Sequence, residues 1–200
     1  MKDGIPSIPE RAAKISKLLQ SDLARSPRLV FRRLTHADVD DRYLGWFADA
    51  AVTEFLEAKN ITREDAIAHM DQGAASGSYY LCAVCDRVTG LHIGNSKLGP
   101  IDWSHGVSDV VTVIGDRNYW GKGIGGETVA IASRLLLQGL GLRKLHAAMY
   151  AGNVGSTKAY VKAGWFVEST LKDQLLHNGV PTDLILVSCF PSGLKAPEQV

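Results

Sequence analysis

The stretch Tyr119-Trp-Gly-Lys-Gly-Ile-Gly-Gly126 lies between an apolar, strand-like run and an apolar, helix-like run. Glycines let the backbone take positive φ and let a ligand come close. The first turn of the following helix has unpaired N–H groups and the positive end of its dipole. Together these features predict a phosphate cradle. A nucleotide-triphosphate loop would need Ser or Thr after Gly121-Lys122, and Gly123 stands there. The dinucleotide fingerprint Gly-x-Gly-x-x-Gly is missed by Gly121-x-Gly123-x-Gly125, and it belongs early in a βαβ unit. A structural loop without a ligand is the plain alternative, since isolated glycine patterns are weak.

A second segment sharpens the reading. It runs from Leu145 through Asn153, Ser156 and Tyr160 to Gly164-Trp165. A strand ends, an Asn follows, and Ser and Tyr are spaced along a helix.

The elements that must hold these residues follow from hydrophobic period and punctuation. Glu10 to Ala24 has helical spacing in Ile15, Leu18 and Leu19. Leu29 to Leu34 reads as the first strand. Thr35 with Asp38 resembles a capping box opening a helix with Val39, Tyr43, Trp46 and Phe47 on one side. Thr62 with Asp65 opens another, with Ile67 and Met70 inward. Strands are expected at Tyr79 to Cys85, Leu91 to Leu98 and Val107 to Ile114. Thr128 to Gln138 is an apolar helix, Leu145 to Tyr150 a strand, and Ser156 to Ala163 a short helix ended by Gly164. Trp165 to Thr170 and Asp183 to Phe190 close the set. The order predicts one mixed α/β domain over 27–191, after an N-terminal extension 1–26 and before a tail 192–200.

The glycine loop and the Asn153 segment together resemble the GNAT superfamily of N-acetyltransferases, over about Leu29 to Phe190. The family's loop pattern is Arg/Gln-x-x-Gly-x-Gly/Ala, and Trp120 stands where Arg or Gln is usual. The Tyr-Trp-Gly-Lys-Gly form is similar to the branch of ribosomal-protein alanine, spermidine and sugar-amine acetyltransferases. The resemblance implies a twisted mixed sheet of about six to seven strands flanked by helices, with two strands splayed at the coenzyme A (CoA) site. It implies acetyl-CoA as cosubstrate, with Gly121, Lys122, Gly123, Ile124, Gly125 and Gly126 around the pyrophosphate. Main-chain groups at Val113 and Ile114 would meet the pantetheine arm, Asn153 would hydrogen-bond it, and Ser156 and Lys162 would lie near it.

Acetyl transfer to an amine needs a neutral amine, a polarised carbonyl and a proton for the departing thiolate. The resemblance gives the last role to Tyr160, against a core aromatic with a satisfied hydroxyl. A backbone N–H near Ile114 or Gly115 would polarise the carbonyl. Glu54 is the first candidate base, in Val52-Thr-Glu-Phe-Leu-Glu57. Glu57, Asp109, His92, Asp102 and His105 are others, and a water relay would also serve.

The acceptor is less legible. The segments Ile93 to Trp103 and Tyr43 to Asp49 resemble the branch acting on nucleotide-linked amino sugars, with Trp46 and Trp103 able to stack on a sugar or base, although core packing is the commoner job for each. A protein N-terminus or a polyamine is the alternative acceptor, and a non-catalytic acyl-CoA sensor the alternative class.

Composition sets outer bounds. There are 22 basic and 21 acidic residues, a formal charge of +1, which gives no footprint for nucleic acid. Three cysteines, an odd and low count, predict a reducing, cytoplasmic setting. Cys82-x-x-Cys85 lies on a strand, where positions three apart face opposite ways, so no metal site is expected. No signal peptide or membrane span is expected. A small-molecule amine is the expected partner, and a homodimer is allowed.

Overall fold

A computed structural model describes residues 5–195. The expectations for residues 1–4 and 196–200 lie outside the described residues. Seven strands form one sheet: β1 (Leu29–Arg33), β2 (Tyr80–Asp86), β3 (His92–Asp102), β4 (Val107–Ile114), β5 (Lys144–Tyr150), β6 (Phe166–His177) and β7 (Val180–Cys189). Their spatial order is β1-β2-β3-β4-β5-β7-β6. Every pair is antiparallel except β4 with β5. The helices are α1 (Ile8–Leu19), α2 (Asp41–Ala48), α3 (Ala50–Thr53), α4 (Arg63–Ser76), α5 (Ile124–Arg134) and α6 (Val154–Lys162).

Both faces of the sheet are covered, so the central strands read as continuous apolar runs. In β2, Tyr80, Cys82 and Val84 enter the core built with α1 and α5. Ala83 and Cys85 enter the core built with α2 and α4. Cys82 and Cys85 thus lie on opposite faces, both as free thiols. Burial pushes the Cys82 thiol up to about 12. No group of three potential metal ligands occurs among the described residues.

Several boundaries differ from expectation. The first helix spans Ile8–Leu19, and the chain then makes a tight turn at Asp22–Ala24. The Thr35–Asp38 box closes only a short turn at His36–Asp38. The helix bearing Tyr43, Trp46 and Phe47 starts at Asp41, with Asp40 accepting the Tyr43 N–H. Asp38 is instead engaged by the Arg32 guanidinium, which helps hold its carboxyl near about 2 despite burial. Helix α5 starts four residues earlier than Thr128, because Gly123 is its N-cap, and it relaxes into a π-helical turn at Leu135–Gly139. Strands β6 and β7 run longer than expected, since much of β6 is exposed and lacks an apolar alternation.

Helix α1 and the turn at Asp22–Ala24 are part of the packed unit. Ile15 and Ala24 lie in the same buried cluster as β1, β2 and α5. Ile15→Val is expected to cost about 1 kcal/mol. Thermal unfolding should show a melting temperature lower by about 2–4 °C. An unchanged value would mean that α1 docks without contributing to stability.

Candidate active site

Strands β4 and β5 pair only at Val107 with Lys144, Ser108 with Leu145 and Asp109 with His146. Beyond Asp109 they part. The gap receives a cavity from each side. The first, about 610 Å³, is lined by Thr112, Ile114, the glycine loop and α6. The second, about 700 Å³, lies under α2, α4 and the segment Phe55–Ile61. Both are lined by Phe55, Leu56, Thr112, Val113, Asn153, Ser156 and Tyr160.

The loop side is built as an anion cradle. Gly121 and Gly123 have φ of +73° and +78°, a region that favours glycine. The first main-chain bond of α5 runs from Glu127 N to Gly123 O, which leaves the N–H groups of Ile124, Gly125 and Gly126 without intrahelical partners. A side chain begun at Gly123 would meet the Arg28 guanidinium at 3.6 Å and Lys162 Nζ at 3.8 Å. Two cations therefore converge on open backbone amides. Gly125 acts on packing instead, since a Cβ there would touch Ala159 Cβ at 3.5 Å, so it sets how α5 and α6 meet.

Arg28 is a residue that sequence reasoning missed. Its Nε donates to Glu127 Oε2 at 2.6 Å and its NH1 to Lys122 O at 2.8 Å. Glu127 is 1% exposed and also accepts from Ser26 Oγ. A buried carboxylate requires such partners. The only available signal was a lone acidic residue in the apolar run of α5.

The edge of β4 can be read from its neighbours. Gly115 N and Asp116 N both donate to Ile93 O, each at 3.0 Å. The Gly115 N–H, expected to polarise a carbonyl, is therefore already engaged. By the alternation of an antiparallel ladder, Val113 and Val111 also direct their main chain to β3, and Thr112 and Ile114 direct theirs to the gap. Val113 thus lines the cavities by its position, and its amide faces away from the gap. Ile114 O accepts the Trp120 indole N–H at 2.7 Å, which leaves Thr112 and the Ile114 N–H as open main-chain groups along this edge.

Tyr160 is buried at the junction. Its hydroxyl donates to Val110 O at 2.6 Å, and its ring meets Trp165 edge-on at 4.9 Å between centroids. Burial, with the Asp109 charge, pushes the phenol well above its ordinary value. Thr112 Oγ1 lies beside the Tyr160 hydroxyl, close enough to act on it but outside hydrogen-bond geometry, and is otherwise buried without a partner. An orphaned hydroxyl at the meeting of two cavities fits a ligand that completes it. Thr112→Val removes an unsatisfied group and should leave the free protein as stable or up to about 1 kcal/mol more stable. CoA affinity should fall about fivefold or more. Calorimetric titration with CoA checks this, and unchanged affinity would remove Thr112 from the site.

Asn153 caps α6: its Oδ1 accepts the Ser156 N–H at 3.1 Å, so its amide N–H groups remain for a ligand. Glu54 lines the loop-side cavity with an exposed side chain, whereas Glu57 lines the other. Asp109 lies where the strands part, half-buried, and burial raises its carboxyl. Its Oδ1 accepts the Val110 N–H at 2.7 Å. His92 is buried against Gly94 O and Asn95 Oδ1. Asp102 and His105 pair with each other on the exposed turn after β3. None of these last three lines either cavity. Trp46 is packed against Gly115, and Trp103 donates to Gly77 O, so neither indole is placed to stack on an acceptor in these cavities.

Parting parallel strands, an amide-lined glycine loop and a junction phenol define the scaffold of an acyl-CoA-dependent transferase. A family model described as acetyltransferase (GNAT) domain matches residues 28–165, more than half of the chain, and the chain belongs to this family. It is accordingly an N-acetyltransferase with acetyl-CoA as cosubstrate. Solved structures share the fold. A spermidine N-acetyltransferase from Vibrio cholerae, in complex with CoA and spermine, is 16% identical with a TM-score of 0.75, covering 84% of this chain and 98% of that one. A GNAT-family acetyltransferase from Bacillus anthracis is 16% identical with a TM-score of 0.72, covering 84% and 97%. A structure described as a ribosomal-protein-serine acetyltransferase from Vibrio cholerae is 17% identical with a TM-score of 0.66, covering 84% and 97%. No curated protein matches the sequence.

Proposed function

We propose that this protein moves the acetyl group of acetyl-CoA directly onto a primary amine, and that the acceptor is a nucleotide-linked amino sugar. The observation that carries the direct transfer is the pair of cavities meeting at Thr112 and Tyr160. Donor and acceptor can then approach from opposite sides of the sheet without a covalent enzyme intermediate.

The residues divide the work between donor and acceptor. Acetyl-CoA supplies the activated acyl thioester. Gly121 to Gly126, with Arg28 and Lys162, hold its pyrophosphate. The edge of β4 at Thr112 and Ile114, with Asn153, orients its arm, and Ser156 lies alongside. The Thr112 or Ile114 N–H faces the gap, where an oxyanion would need a donor. Tyr160 holds a proton beside the thioester sulfur. Asp109 is better placed than Glu54 to relieve the amine of its proton, because it faces the acceptor-side cavity and burial raises its carboxyl, making the carboxylate a stronger base.

The amino-sugar reading draws on the stretch Ile93 to Trp103, which supplies Asn95 and Lys97 to the acceptor cavity. Three buried, unpaired cysteines suit a reducing, cytoplasmic setting. Among the described residues no helix is long and apolar enough to cross a membrane.

The test is free-thiol release from acetyl-CoA, compared as kcat/KM over UDP- and dTDP-linked amino sugars, spermidine and short peptides with free N-termini. Highest kcat/KM for a nucleotide sugar is expected. Preference for a polyamine or peptide would overturn the acceptor and leave acetyl transfer standing. No thiol release with any amine would favour a CoA-binding sensor.

A further inference from the structure

The acceptor cavity carries a cation that no carboxylate among the described residues approaches within ion-pair distance, although the Asp109 carboxyl is near enough to feel its charge. Lys97 lies on β3, beside Val111 of β4 in register, and lines the cavity wall. Its side chain is half-buried. The ammonium sits 5.7 Å from the centroid of the Tyr79 ring, and it forms no ion pair among the described residues. A half-buried ammonium without a direct ion pair costs free energy that a ligand anion can recover.

None of the acidic groups of the same cavity forms an ion pair with Lys97. Asp65 Oδ2 accepts the N–H and the hydroxyl of Thr62 in the cap of α4. Asp109 turns one oxygen to Val110 N and feels the Lys97 charge across the cavity wall without an ion pair. Glu57 is on the exposed rim. His69, which also faces the cavity, bonds the Tyr79 hydroxyl through Nδ1, and burial with the Lys97 charge favours its neutral form. Next to Lys97 on the same sheet face, Asn95 gives its Oδ1 to His92 and keeps its amide N–H groups for the cavity.

We infer that Lys97, with Asn95 beside it, receives an anionic group, phosphate or carboxylate, on the amine that this enzyme acetylates. Lys97 is one strand away from β4 and two from β5, so the anion lies within about 10 Å of the transfer point. The same ammonium repels a polycation that enters the cavity. The inference rests on the acetyl-transfer reading above. It deepens that reading, because a nucleotide-linked sugar carries phosphate near its amine.

The experiment pairs charged amines with neutral counterparts: glucosamine 6-phosphate with glucosamine, β-alanine with β-alaninamide, and spermidine as the polycation. Wild type, Lys97→Gln and Lys97→Arg are compared by thiol release, and by calorimetric binding of each amine to the CoA-loaded protein. Wild type should favour the charged member of at least one pair by about 10- to 100-fold. The pair that shows it tells phosphate from carboxylate. Lys97→Gln should erase that preference, raise kcat/KM for spermidine and leave CoA affinity within about twofold, and Lys97→Arg should keep most of the preference. A preference that survives Lys97→Gln, or is absent from wild type in both assays, overturns the inference. If neither these amines nor the UDP- and dTDP-linked amino sugars release thiol, the acetyl-transfer reading fails, and the binding arm still reads Lys97 by the same two outcomes.

Discussion

Tyr160→Phe is expected to lower turnover about 10²-fold while CoA affinity stays within about twofold. The substitution keeps the ring, and with it the edge-on contact to Trp165. It removes one buried hydrogen bond, to Val110 O, at a cost of about 1 kcal/mol. A folded domain tolerates that loss. What disappears is the proton at the junction of the two cavities. The phenol's raised pKa has two consequences. It stays protonated below about pH 10, so an alkaline fall in activity below that pH has another origin. It also parts with its proton only when a charge develops beside it, and the departing thiolate is such a charge. The phenol must then turn from Val110 O toward the sulfur. Rapid-quench or steady-state thiol release checks this. Turnover within a factor of two would make Tyr160 a packing residue.

Gly123→Val is expected to abolish the rise in melting temperature that CoA gives the wild type, a loss of affinity on the order of 10²-fold or more. Gly123 combines a left-handed backbone with a surface of open amides. A β-branched residue strains that conformation and covers the amides. Gly123→Ala separates the two effects. Its Cβ would sit 3.6 Å from Arg28 and 3.8 Å from Lys162, ordinary contact distances, so the free protein should lose only about 1–2 kcal/mol from the positive φ. CoA affinity should fall between wild type and the Val variant. Thermal shift with and without CoA reads both. A full shift in Gly123→Val would sink the phosphate-cradle assignment.

The parts of the site that rest on short-range patterns were legible in the sequence. Thr62 with Asp65 and Val107 to Ile114 lie where spacing and caps put them, and the helix expected from Ser156 starts two residues earlier, at Val154, because Asn153 caps it. The positive φ at Gly121 and Gly123 is the property that made the loop readable. What escaped depends on contacts between distant residues. Arg28 and Glu127 are 99 positions apart, and neither has a local pattern that joins them. Thr112 reads as one more β-branched strand residue until the strands part beside it. The direction of the β4 amides follows from the pairing of Gly115 with Ile93, a register that no local spacing encodes. Trp46 and Trp103 follow the commoner of their two readings, packing rather than stacking. An aromatic residue near a site suggests stacking, yet Gly115 and Gly77 already use both indoles.

The most direct test of the CoA site is amide hydrogen exchange of the protein with and without CoA. Protection should appear at Thr112 and Ile114, across Gly121 to Gly126, and from Asn153 through α6, while β1 and β2 stay unchanged. CoA binding that leaves the β4 edge and the glycine loop unprotected would contradict the account.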